Sequence, residues 1–155
     1  MFNLQATHFP DSFPIDIMHL IYENIASYMF QHWRGNFFKK GLNDQNNGDY
    51  VLSNAQWNEI GNEMHSIRKM IPTYLGRPPR NIVLYHNGYK AEEWAAWITM
   101  YSLPLLKGRM PERHYQGWAY FVKAVYLCKK LTLTDQELNN IRLLFRSFYV
   151  KLLTG

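Results

Sequence analysis

Asp16, His19 and Glu23 recur at short intervals within residues 14–33. On a helix advancing roughly 100° per residue, positions i, i+3 and i+7 nearly eclipse one another, so two carboxylates and an imidazole share one narrow face. The other faces carry Ile17, Ile21, Ile25, Met29, Phe30 and Trp33 among further apolar residues. A helix apolar nearly all round is expected to be buried, and its ionisable groups must then be paired, neutralised or bound to a cation. The stripe is therefore a candidate cation site. The same residues also have ordinary uses, since Asp16 sits near a helix N-terminus where the dipole favours a carboxylate and Glu23 could pair with a basic side chain.

A second chemistry belongs to Arg77, Arg80 and Lys90. Residues 73–81 contain Pro78 and Pro79 and form a stiff basic loop, because proline keeps them out of a helix interior or a central strand. Stiffness lowers the entropy cost of presenting cations, so these three residues are candidates for phosphate contacts, with a solvated basic loop as the alternative. His32, His65, His86 and His114 fall at no metal-ligand spacing and receive no role, and Cys128 reads as structural.

Several elements must position these groups. Pro14 suits the first turn of a helix that runs to about Trp33 and stops at Arg34-Gly35. Residues 36–52 are rich in Asn, Asp and Gly and read as a flexible exposed loop. Ser53 and Gln56 have the form of a capping box, followed by Trp57, Ile60, Met64 and Ile67 on one helical face up to Pro72. Residues 82–85 suggest a short strand. A helix over 89–101 should put Trp94, Trp97 and Ile98 in the core and break at Ser102-Leu103-Pro104. Pro111-Glu112 opens another helix to about Leu131, aligning Tyr115, Trp118, Val122 and Val125. Thr134 and Glu137 form a second capping box, ahead of a last helix with Leu138, Ile141, Phe145, Phe148 and Leu152 on one side. About five helices with short connections predict an all-α domain packed as an orthogonal bundle, in which residues 53–155 form one compact unit with the 14–33 helix.

Composition sets the outer limits. The chain has 155 residues, enough to bury a real core, and 47% of them are hydrophobic, which argues against disorder over most of its length. Seventeen Lys and Arg against twelve Asp and Glu give a net charge of +5, which favours a polyanionic partner. One cysteine excludes a disulfide framework and fits a reducing compartment. No secretory signal and no apolar run of membrane-spanning length is evident, so a soluble intracellular protein with no membrane partner is expected.

Asp16-Ile17-Met18-His19 with Glu23-Asn24-Ile25, Ile71-Pro72 with Gly76-Arg77-Pro78-Pro79-Arg80, Tyr89-Lys90-Ala91-Glu92-Glu93-Trp94, and Leu105-Leu106-Lys107-Gly108 occur in that order. Together they resemble the C-terminal half of CACTA-type (En/Spm-like) transposases, in particular fungal versions, over most of the chain from about Asp11. The resemblance implies a DDE enzyme with an RNase-H-like core whose helical end this would be. It implies DNA transposition in the nucleus, with transposon-end DNA as partner. Three acids in such enzymes hold two Mg²⁺ or Mn²⁺ ions, hard cations that suit oxygen ligands and stabilise the attacking and leaving oxygens of a phosphodiester. Asp16 or Glu23 would supply the third acid, with His19 beside it as a further ligand or pairing group. The first two acids and the family's Cys/His-containing insertion would lie upstream. The expectation is therefore a truncated or relic transposase region, catalytically incomplete alone, binding no metal tightly by itself and completed by the missing N-terminal part of the transposase. A non-catalytic helical module that binds DNA or protein is the alternative.

Overall fold

A computed structural model of the chain describes residues 18–36, 48–72 and 78–154. Asp16 and Arg77 lie outside the described residues, as do residues 37–47 of the expected loop. Among the described residues the fold is all-α, with six helices and no strand.

Helix α1 spans residues 18–33, π-helical over Met18–Ile25 and α-helical over Ala26–Trp33. One side is buried through Ile21, Ala26, Met29, Phe30 and Trp33. The expectation of a helix buried all round is corrected: Leu20 and Tyr28 are exposed, as are His19, Glu23 and Asn24. The remaining elements cover one side of α1 and leave the other to solvent, so the ionisable groups need no partner to survive there. Gly35, at φ 70°, turns the chain out of this helix.

Helix α2, Asn54–Met70, begins with the expected capping box: Ser53 Oγ accepts the Gln56 N–H at 3.3 Å and Gln56 Oε1 accepts the Ser53 N–H at 2.9 Å. Trp57, Ile60 and Met64 are buried along one face. Gly61 lies on the same side, where a Cβ would come within 2.7 Å of the Asn81 side chain. That close approach brings helix α3, Ile82–Tyr85, against α2.

Here the expected strand is corrected. Four residues cannot separate an apolar strand from an apolar helical turn by pattern. Asn81 Oδ1 accepts the Val83 N–H at 2.9 Å and starts a helical turn, continued by a 3₁₀ turn over His86–Gly88.

Helix α4 is one rod over residues 91–106: α-helical over Ala91–Ala96, π-helical over Trp97–Tyr101 and α-helical again over Ser102–Leu106. The expected break at Ser102-Leu103-Pro104 is therefore corrected. The wider π turn ends at Tyr101, just under one turn before Pro104, which cannot donate its own hydrogen bond. Ser102 Oγ donates to the Ile98 carbonyl at 3.0 Å and accepts Trp118 Nε1–H at 2.8 Å, a satisfied buried polar pair that ties α4 to the next helix. The rod ends at Gly108, φ 75°.

Helices α5, Glu112–Cys128, and α6, Asp135–Leu153, form an antiparallel pair. Helix α5 stops short of Leu131, which is fully exposed. Gly117 permits its tightest contact, since a Cβ there would lie 2.9 Å from Lys151 Cβ. Thr134 and Glu137 form the second capping box as expected. Ile141 and Leu144 are buried, whereas Leu138 and Leu152 of the expected apolar face are exposed.

One core joins α1 to α5. Trp33, Trp57, Trp97, Trp118, Phe30 and Phe121 are all fully buried in it, and Phe145 and Phe148 of α6 pack against its edge. Trp94, Trp97 and Trp118 are core residues, as their helical spacing predicts. Each such ring removes a large apolar area from water, and burial of this kind dominates the stability of the fold.

Candidate functional site

The stripe on α1 is a local, solvent-facing pair. His19 Nδ1 and Glu23 Oε2 lie 2.7 Å apart, one helical turn apart in sequence, with side chains 63% and 42% exposed. Asn24 Nδ2 donates to the His19 carbonyl at 2.8 Å. Such a pair supplies two donors to a cation. Among the described residues no group of three His, Cys, Asp or Glu side chains could hold a metal ion. Mg²⁺ favours near-octahedral oxygen coordination, and the described part of the stripe offers one carboxylate and one imidazole, while Asp16 lies outside the described residues.

The basic loop behaves differently. Arg80 is committed to a carboxylate absent from the candidate set, that of Glu93. Arg80 Nε donates to Glu93 Oε1 at 2.8 Å and Nη2 to Oε2 at 2.7 Å, a bidentate pair. Nη2 also donates to the Gly88 carbonyl, 2.5 Å away. The two backbone N–H groups of Arg80 and Lys90 both donate to Glu93, each at 3.2 Å. Tyr89 donates its hydroxyl to the Arg80 carbonyl, and the Tyr85 and Tyr89 rings flank the guanidinium at 5.5 and 5.9 Å.

The electrostatics follow from this packing. The Arg80 guanidinium, helped by the two amides, outweighs burial and holds the Glu93 carboxyl down from 4.5 to about 2. Glu93 in turn raises the Arg80 pKa, and burial pushes the Tyr89 phenol up. Arg80 is thus a structural clasp between the loop and the start of α4. Lys90 precedes α4 and is exposed.

Beside the clasp lies a groove lined by His65 and Arg68 of α2, Arg80 and Asn81 of the loop, and Leu84 and Tyr85 of α3, with a volume of about 470 Å³. Among the described residues, no carboxylate lies within ion-pair distance of Arg68. Lys69 follows it in the last turn of α2, where basic residues also suit the helix dipole. Leu84 and Tyr85 are 70% and 49% exposed at the groove. A smaller cleft shares Arg80 and is lined by Gly88, Lys90, Glu92 and Glu93.

Sequence reading missed Glu93, although it stands in the third position of α4, where an acid reaches back to the helix start. It missed the groove because His65 and Arg68 come from one helix and Leu84 and Tyr85 from another, and no spacing links them. It also missed a cluster at the N-terminus of α5. Asp49 Oδ1 lies 2.8 Å from both Arg113 Nη2 and His114 Nε2, and these two hold its carboxyl below the usual range, His114 foremost. Tyr50 stacks on His32 at 4.0 Å and meets His114 edge-on at 5.6 Å, while burial lowers the His32 pKa. This cluster fastens residues 49–50 to α1 and α5.

Among the described residues no helix is long and apolar enough to cross a membrane. Comparison of the chain with protein-family models, with curated proteins and with solved structures finds no match.

Proposed function

We propose that the chain is a region of a CACTA-type transposase-like protein that performs no chemistry by itself and contributes nucleic-acid binding, in the nucleus, through the groove between α2 and α3. The observation that carries this reading is Arg68, a cation with no carboxylate at ion-pair distance among the described residues, lying in one groove with His65 and the clasped Arg80. The ordered motifs of the resemblance and the net charge of +5 support a polyanion as the partner. Lys90, exposed at the start of α4, extends the basic rim, and Arg77 belongs to the same loop outside the described residues. The pairing of Arg80 with Glu93 makes it a support for the groove more than a free phosphate ligand.

Binding of a fluorescent DNA duplex by the full chain, followed by anisotropy, tests the reading. Affinity should fall steeply as salt rises, because phosphate contacts release counterions, and Arg68→Glu should weaken it at every salt concentration. Absence of binding at low salt would remove the proposal. For the ancestral metal role of Asp16, His19 and Glu23, a Mn²⁺ titration read by tryptophan fluorescence decides. A response lost in an Asp16→Ala, Glu23→Ala double variant would restore a metal function to the stripe.

A further inference from the structure

The groove joins two kinds of surface that a duplex backbone does not need together. Phosphates are served by Arg68 and His65, but Leu84 and Tyr85 bring an exposed aliphatic side chain and an exposed aromatic ring to the same place. Apolar groups beside phosphates gain nothing, whereas an aromatic ring next to cations is the pairing that single-stranded nucleic acid uses: the cations track the backbone and the ring stacks a base. In a duplex the bases are already stacked on one another and present edges, not faces.

Tyr85 is well placed for this. The Arg80 guanidinium sits 5.5 Å from its ring centroid and is itself held by two hydrogen bonds to Glu93, so the ring lies against an anchored side chain. A preset ring gives up little freedom when a base stacks on it. Leu84, the preceding residue in the same helical turn, adds an apolar rim to the groove. The volume of about 470 Å³ falls within the range of roughly 300 to 1,000 Å³ typical of clefts that bury a small organic group.

We propose, building on the nucleic-acid reading above, that this groove receives an unpaired nucleotide of a single strand, its base stacked on Tyr85 beside Leu84 and its phosphate held by Arg68 and His65. The smaller cleft that shares Arg80 mixes Lys90 with Glu92 and the paired Glu93, whereas the α2 side presents Arg68 with no carboxylate at ion-pair distance among the described residues, so the strand path follows the α2 side.

The test uses the full chain and two fluorescent probes of equal length, an oligothymidylate of about 12 nucleotides, a common footprint for such sites, and a duplex. Single-strand binding should be the tighter of the two at matched salt. Tyr85→Ala should weaken it by roughly five- to a hundred-fold and weaken duplex binding by less, and Tyr85→Phe should restore it. Leu84→Ala, at a more exposed position, provides a second variant and should weaken single-strand binding more than duplex binding. Circular dichroism of each variant shows that it is folded. Equal or tighter duplex binding, or single-strand binding indifferent to both Tyr85→Ala and Leu84→Ala, overturns the inference and leaves the broader nucleic-acid reading standing. Loss of both probes' binding at low salt removes both. Displacement of the oligothymidylate by an equal concentration of thymidine monophosphate would assign the groove to a free nucleotide and overturn the single-strand inference.

Discussion

Two side-chain pairs, His19 with Glu23 and Arg80 with Glu93, have the same donor–acceptor distance of 2.7 Å and different consequences. The first joins neighbours on one helical turn and faces water. The second joins residues 13 apart and is largely covered, with backbone amides of two segments donating to the same carboxylate. Exposed pairs at i, i+4 contribute little, because water screens them and two mobile side chains must be ordered. A covered pair with extra hydrogen bonds fixes the positions of the segments it links. The difference teaches that proximity of charge identifies neither a site nor a support until burial is known.

Glu93→Ala should have the largest effect on this contrast. It removes both guanidinium bonds and both amide bonds at once, and a loss of roughly 2 kcal/mol or more is expected from hydrogen bonds to a charged group, measurable by urea denaturation. A loss no greater than that of Glu23→Ala would erase the distinction between the two pairs.

Acid should separate the pairs next. The Glu93 pKa is depressed from 4.5 to about 2 in the folded state, so its contribution is fully present above 4.5 and disappears as pH falls from there toward 2. The thermal midpoint should therefore drop more steeply across that window in the natural protein than in Glu93→Gln. Parallel curves would show that the clasp does not drive the acid sensitivity.

Gly61→Ala should cost about 1 to 3 kcal/mol, the usual range for forcing atoms into a packed contact, since the new methyl meets the side chain that caps α3. If α3 shifts, nucleic-acid affinity should fall with stability. Unchanged affinity would show that the groove does not depend on this contact. The smallest effect belongs to the stripe. His19→Ala or Glu23→Ala should change stability by less than about 0.5 kcal/mol, read by the same denaturation.

Much of the helical framework was legible from residue order. Both capping boxes, the tryptophan positions and the buried faces of α2 and α5 follow from local spacing, because a helix places i, i+3 and i+4 together whatever surrounds it. The misreadings have equally local causes. Residues 82–85 are too short for their period to be read, and Pro104 signals a break in sequence because a π turn that accommodates it leaves no mark in the pattern.

The candidate site was less legible. Arg80 could be named as a cation, yet its partner is 13 residues away and the groove needs residues from two helices. Amino-acid order by itself determined that this chain is helical, basic and rich in buried aromatic rings, since those properties are composition and short-range periodicity. Tertiary structure alone decided that His19 and Glu23 face water, that Arg80 is a clasp and that Arg68, His65 and Tyr85 share a groove. Those outcomes depend on which surfaces the other helices cover, and the free energy of an ion depends on the water it keeps.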